Sequence, residues 1–177
     1  MRAPAEGTPR VFLGVAGRVL EREHLFRGSA LNAMDAKGRL SVPSFIRQKI
    51  ERRSDEKVLV LGLHDSLPCI VGYDTNYSGE LWAESERKRL AEEERDPFAH
   101  LAREIGSFGS AMDVPYDPSG RIIMPGRLKK RAEIDELAMF VGMGGTFIIW
   151  NPHKALESGV PQLRDLAADL LEERGVA

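Results

Sequence analysis

Apolar residues in this chain fall into short runs bounded by polar or glycine-rich breaks, and the grouping occurs twice. Lys57-Val-Leu-Val-Leu-Gly62 is followed by a polar break and then Pro68-Cys-Ile-Val-Gly72. Ala138-Met-Phe-Val-Gly142 is followed by Gly144-Gly145 and then Phe147-Ile-Ile-Trp150. Two glycines between apolar runs signal a hairpin, and His64-Asp65-Ser66 makes a longer loop of the same kind. Ahead of each pair of runs stands a shared motif. Residues 34–43 read Met-Asp-Ala-Lys-Gly-Arg-Leu-Ser-Val-Pro, and residues 116–125 read Tyr-Asp-Pro-Ser-Gly-Arg-Ile-Ile-Met-Pro, with Asp, Gly, Arg and Pro all repeating at an offset of 82.

Each copy therefore reads as strand, tight turn, strand, short helix, strand, turn, strand: a β-rich α+β protein. Asp35-Ala-Lys-Gly38 and Asp117-Pro-Ser-Gly120 carry the residues of a type I turn. Pro43 and Pro125 suit a first helical position, and Ile46 with Ile50, and Leu128 with Ala132, supply the buried stripe that follows. Between the copies, 80–103 is charged, with Leu81, Trp82, Leu90 and Leu101 interspersed, and predicts one or two exposed helices with a break near Asp96-Pro97. Residues 161–174 predict an amphipathic helix carrying Leu163, Leu166, Leu170 and Leu171. The expected organisation is an extension (1–24), a first repeat (25–75), a helical linker (76–104), a second repeat (105–152) and a C-terminal helix (153–177). The extension is expected to be disordered, or to precede a true start near Val19 or Leu25.

Composition changes this picture little. The 177 residues are 42% apolar and 29% charged, which excludes a wholly disordered chain. No stretch approaches the ~20 apolar residues of a membrane span. The lone Cys69 excludes an internal disulfide framework and fits a reducing compartment, so a cytoplasmic location is expected. His24, His64, His100 and His153 lack ligand spacing, so neither metal nor cofactor is implied. There is no phosphate-binding loop, nucleophile elbow or His-Glu-x-x-His, and an enzyme is the least favoured class.

Charge placement changes more. The net charge is −2, yet residues 37–53 hold six cations (Lys37, Arg39, Arg47, Lys49, Arg52, Arg53) against one acid. Residues 121–131 hold five (Arg121, Arg127, Lys129, Lys130, Arg131) and no acid. The linker 80–104 has eight acids against five cations, and the segment from Lys154 onward five against three. One basic cluster is ordinarily a solvated helix face. Two at matching repeat positions point to a polyanion, because phosphate neutralisation with counterion release supplies most non-specific nucleic-acid affinity.

Phe26-Arg-Gly28, the paired Asp-x-x-Gly-Arg-(Leu/Ile)-x-(Val/Met)-Pro motifs and Phe140-Val-Gly with Phe147-Ile-Ile-Trp150 resemble the MraZ family, over roughly residues 25–155. The resemblance implies two tandem SpoVT/AbrB-type units intertwined as a pseudo-dimeric swapped-hairpin barrel, with several subunits forming a ring. It also implies a nucleoid-associated transcriptional regulator that binds repeated boxes upstream of its own operon, the division and cell-wall gene cluster, and generally represses it. The family's DNA-contacting motif falls here on Asp35, Gly38 and Arg39, and on Asp117, Gly120 and Arg121. Members usually begin close to Met-Phe-Arg-Gly, whereas here Leu25 occupies the first of those positions with 24 residues ahead of it.

Read by their chemistry, Asp35, Gly38, Asp117 and Gly120 are turn-shaping residues that hold the next side chain outward. A turn has no need of arginine at its exit, so Arg39 and Arg121 are the candidate base readers, the ordinary alternative being an ion pair across the barrel. Lys37 suits a phosphate contact; its counterpart Ser119 offers only a neutral hydrogen bond. Arg47, Lys49, Arg127, Lys129 and Lys130 are candidates for backbone contacts. Trp82, Trp150 and Cys69 read as packing residues. Of a different class is an antitoxin-like protein-interaction module on the same barrel, using the acidic linker and the C-terminal helix.

Overall fold

A computed structural model describes residues 12–13, 19–20, 22–91 and 97–176. In chain order, β1 (Phe12–Leu13) and β2 (Val19–Leu20) pair antiparallel and lead into a 3₁₀ turn, Arg22–His24. The first copy follows as β3 (Ser29–Ala33), β4 (Arg39–Ser41), α1 (Ser44–Ser54), β5 (Val58–Leu63) and β6 (Ile70–Tyr73). The linker is α2 (Thr75–Ala91), α3 (Pro97–Glu104) and a π-helical turn, Ile105–Gly109. The second copy is β7 (Met112–Pro115), β8 (Arg121–Ile123), α4 (Gly126–Arg131), β9 (Leu137–Gly142) and β10 (Phe147–Trp150), followed by α5 (Pro152–Leu156) and α6 (Pro161–Arg174). Most of the expected extension, 1–24, lies outside the described residues. Leu25 and Phe26 are buried, so the packed core reaches back to them.

The protein is α+β. A six-stranded antiparallel sheet has the order β3-β9-β10-β6-β5-β7, and β4 and β8 form a separate two-stranded ribbon. Neither copy builds a sheet of its own: β3 of the first lies on β9 of the second, β7 of the second lies on β5 of the first, and the two meet at β10–β6. Exchanging the copies turns the strand order into itself read backwards. The register keeps the same symmetry, because Val71 faces Ile148 at the centre of β6–β10 and Leu40 faces Ile122 at the centre of β4–β8. The sheet is not closed, since β3 and β7 are its edges. The expectation of a closed barrel thus goes further than the pairing itself does.

Alternation explains which faces are buried. Leu40 and Ile122 turn inward from the ribbon and join Ile46, Ile50 and Leu128 from the helices and Leu59, Leu61, Phe140 and Phe147 from the sheet in one core drawn from both copies. At β6–β10 a Cβ on Gly72 would sit 2.2 Å from the Phe147 ring, so the aromatic occupies the space a side chain at 72 would need. Two smaller cores hold the peripheral helices. Cys69, Met139 and Trp150 pack with Ala155, Ala167 and Leu163 under α5 and α6, while Val60, Tyr73 and Tyr77 pack beneath α2. Burial pushes the Cys69 thiol up to about 12, which suits an inert core side chain. Arg174 donates from Nη1 to the Leu31 carbonyl at 2.8 Å, tying α6 to edge strand β3.

Three details differ from the sequence reading. Pro43 and Pro125 sit one residue earlier than expected, as N-caps in extended conformation, because a proline ring there directs the chain out of the strand before the helix begins. Trp82 is 52% exposed and touches Phe108 edge-on with 6.1 Å between ring centroids, so it is not a core residue. Finally, the offset of 82 is not kept throughout: Val58 and Leu137, which open β5 and β9, are 79 apart, because α1 has 11 residues and α4 only 6. A left-handed residue follows each helix, Asp55 (φ 55°) as the C-cap of α1 and Glu133 (φ 52°) one residue past the C-cap of α4, so the shorter helix still hands over to an equivalent strand.

Candidate nucleic-acid interface

Each motif closes a turn in the same way. The Gly38 N–H donates to the Asp35 carbonyl at 2.9 Å and the Gly120 N–H to the Asp117 carbonyl at 2.8 Å, with both glycines at φ +77°. That left-handed conformation is strained for residues with a Cβ. The aspartate side chain completes the turn. Asp35 Oδ1 accepts from the backbone N–H groups of Lys37 and Arg39, both at 2.9 Å, and Asp117 Oδ1 accepts from that of Arg121 at 2.9 Å.

The second carboxylate oxygen holds the arginine. Arg39 Nε donates to Asp35 Oδ2 at 2.6 Å, and Arg121 Nε to Asp117 Oδ2 at 3.0 Å. Among the described residues neither guanidinium pairs with a distant acid; each is paired with the aspartate of its own turn. Nor is either tucked inside, since the two side chains are 47% and 44% exposed. The arginine is therefore part of the turn as well as its exit, a role the sequence did not suggest. The aspartate engages the Nε edge in both turns, and in the second Arg121 Nη2 also lies 3.0 Å from Asp117 Oδ2. The arginine backbone N–H, and then its guanidinium, hold the Asp35 carboxyl below its ordinary value, and the Arg121 backbone N–H leads the same downward shift at Asp117.

The ribbon brings the two motifs together. Arg39 lies opposite Ile123 and Ser41 opposite Arg121, and all four are exposed while Leu40 and Ile122 between them are buried. Both arginines thus stand on one face as diagonal neighbours, a relation that places their Cα atoms about 7–8 Å apart. The ribbon is locked by hydrogen bonds between the copies: the Val42 N–H donates to the Gly120 carbonyl at 2.8 Å and the Met124 N–H to the Gly38 carbonyl at 2.9 Å.

The remaining cations divide into exposed and engaged. Lys37, Arg52, Arg127, Lys130 and Arg131 are exposed, and Arg127 Nη2 donates to the Ser110 carbonyl at 3.2 Å. Arg47, Lys49 and Lys129 are half-buried. Arg47 Nε donates to the Val42 carbonyl at 3.1 Å while its guanidinium lies against Gly120, and Lys49 Nζ donates to the Glu23 carbonyl. Arg47 therefore lies against the second turn and the end of β4, and Lys49 against the chain entry.

One cation of the first cluster is not on the surface at all. Arg53 Nε lies 2.7 Å from Asp74 Oδ2, with side chains 6% and 1% exposed. Its guanidinium stacks over Phe26 (4.8 Å) and Tyr77 (5.6 Å), and Nη1 donates to the Gly145 carbonyl. Asp74 also caps α2, accepting from the Tyr77 N–H at 3.2 Å, as Asn151 caps α5 by accepting from the N–H groups of His153 and Lys154. This pair ties the end of α1 to the linker. Nothing in local spacing marks it, although the polar residue closing each β6-like strand is a signal that could have been read.

A family model described as MraZ protein matches residues 107–154. The chain is 31% identical over 144 residues to the transcriptional regulator MraZ of Hydrogenovibrio crunogenus, covering 81% of this chain and 90% of that protein. It is 35% identical over 133 residues to the protein of the same name from Rhodospirillum rubrum (75% and 83%). With that from Gluconacetobacter diazotrophicus it shares 32% over 133 residues (74% and 81%).

Proposed function

The chain belongs to the MraZ family, and from that premise we propose that it is a sequence-specific DNA-binding transcriptional regulator. It represses its own operon, the division and cell-wall gene cluster, by binding repeated promoter boxes as a ring-like homo-oligomer in the nucleoid-bearing cytoplasm. The two repeats, 25–75 and 105–152, act as one swapped-hairpin unit joined by the linker. The observation that carries the reading is the pair of stapled arginines on one exposed face of the β4–β8 ribbon.

A two-stranded ribbon fits the major groove, where a guanidinium can donate both end-on N–H groups to O6 and N7 of one guanine. Holding Nε on the aspartate removes rotamer freedom before DNA arrives, so less is lost on binding. The same aspartate offsets part of the positive charge, which suits base reading better than phosphate neutralisation. Lys37, Arg127, Lys129 and Lys130 then serve the backbone, with Arg47 supporting a turn and Lys49 the chain entry. Weak contacts repeated by subunits of one assembly add up through high effective concentration.

The test is binding of DNA from upstream of the gene by the wild type and by the Arg39→Ala, Arg121→Ala double variant. The variant should keep its circular-dichroism spectrum and lose preference for upstream over scrambled DNA; retained preference removes both arginines from the mechanism. With some six to ten phosphates neutralised per bound unit, wild-type affinity should fall by roughly three to five decades between 50 and 200 mM salt. A second reading, an antitoxin-like interaction module, draws support from Trp82, Leu90, Leu101 and Ile105, which are 52–70% exposed on and beside the linker helices. A stoichiometric protein partner together with salt-indifferent DNA affinity would favour it.

A further inference from the structure

Ile123 is 68% exposed, on the same ribbon face as the two arginines and directly opposite Arg39. Isolated exposed aliphatics are common on any surface and by themselves mean little. This one is placed by register between two guanidinium-bearing positions, with Lys37 exposed at the adjoining turn. The symmetry that exchanges the copies also exchanges Ile123 with Ser41, which lies opposite Arg121. The two arginines consequently have different partners directly across the ribbon: an aliphatic opposite Arg39, a hydroxyl opposite Arg121.

We infer that Ile123 reads a thymine methyl at the base pair next to the guanine contacted by Arg39, so that the ribbon recognises its two half-sites unequally. The inference rests on the DNA-binding reading above. Charge complementarity selects a duplex as the occupant, because an apolar protein surface covering Ile123 would also have to desolvate the adjacent guanidinium groups. Directly opposed residues on a ribbon have Cβ atoms about 4.5–5.5 Å apart, and stacked bases along one strand are about 3.4 Å apart, so adjacent steps are within reach of the pair. In the major groove the C5 methyl is the apolar feature that an aliphatic side chain can distinguish, whereas a serine hydroxyl accepts or donates at any base.

The experiment is fluorescence anisotropy on upstream DNA in which each thymine in turn is replaced by uracil, removing only the methyl. The full-length wild type should lose about fourfold in affinity at one thymine position per ribbon, the equivalent of one buried methyl(ene). Ile123→Ser should bind thymine and uracil DNA equally, Ile123→Val should keep the discrimination, and Ser41→Ile should acquire it at a second position. Equal wild-type affinity for every thymine and uracil version overturns the inference, as does undiminished discrimination by Ile123→Ser. A change in oligomer mass by light scattering in Ile123→Ser, with discrimination intact, overturns it in favour of a contact between copies. Loss of any preference for upstream over scrambled DNA in the wild type takes down the DNA-binding reading itself, a result distinct from the others.

Discussion

Two oxygens of a single carboxylate divide the work in each turn: Oδ1 fixes the backbone and Oδ2 fixes the guanidinium. Asp35→Asn and Asp117→Asn keep an acceptor for the backbone but lose the charge that holds the arginine. Both variants should fold and show reduced discrimination for upstream DNA. Because both carboxyls are held below their ordinary value in the folded state, the contribution is complete above the unfolded value and is lost as pH falls through the lowered one. Between pH 5 and 8 these two groups should therefore leave DNA binding unchanged, and carboxyl titration by NMR should place both midpoints below those of the unfolded chain. The glycines make a sharper comparison. Alanine at 38 or 120 meets left-handed strain of about 1–2 kcal/mol. At 120 its Cβ also lies 2.5 Å from Arg47 Nε, whereas at 38 its nearest neighbour is the Met124 carbonyl oxygen at 3.9 Å. Urea denaturation should find Gly120→Ala the less stable, with the difference abolished in an Arg47→Ala background. The turns were legible in the sequence because Asp, Gly and their spacing are local chemistry. That the aspartate would also grip the arginine was not, since spacing alone does not show where a long side chain bends.

Among the elements, the strands themselves were plain, whereas their pairing between copies was implied only by the family resemblance and not by the residue pattern. Apolar runs state that a segment is half or wholly buried; they do not say which segment lies beside it. The same limit concealed Arg53, which sequence places in a basic run and the fold places over Phe26 against Asp74. Asp74→Asn keeps the acceptor that caps α2 but removes the buried carboxylate charge that faces Arg53. Removing one partner of a buried pair typically costs about 3–5 kcal/mol, and the unfolding midpoint should fall accordingly. At the centre of the sheet, Gly72→Ala overpacks the Phe147 ring and should cost about 1–3 kcal/mol, recovered in part by adding Phe147→Leu. Thermal melts of the single and double variants check this.

For the whole molecule, the doubled motif announced an internal symmetry and the cation count announced two like-charged regions. The net charge of −2 concealed the second of these until the acids were located in the linker and tail. What no composition could show is that neither copy is a self-sufficient unit. A fragment spanning 105–177 lacks β5 beside β7, β6 beside β10, β3 beside β9 and β4 beside β8. It should be unfolded as a monomer and gain structure only on self-association, as seen by circular dichroism and light scattering over a concentration series. The peptide link between copies also has a bearing on divergence. In a homodimer of this shape every substitution would appear twice, once on each side of the axis. Here a codon change at one position alters one side alone, so serine can stand at 41 and isoleucine at 123, and a surface of two-fold outline is free to be directional.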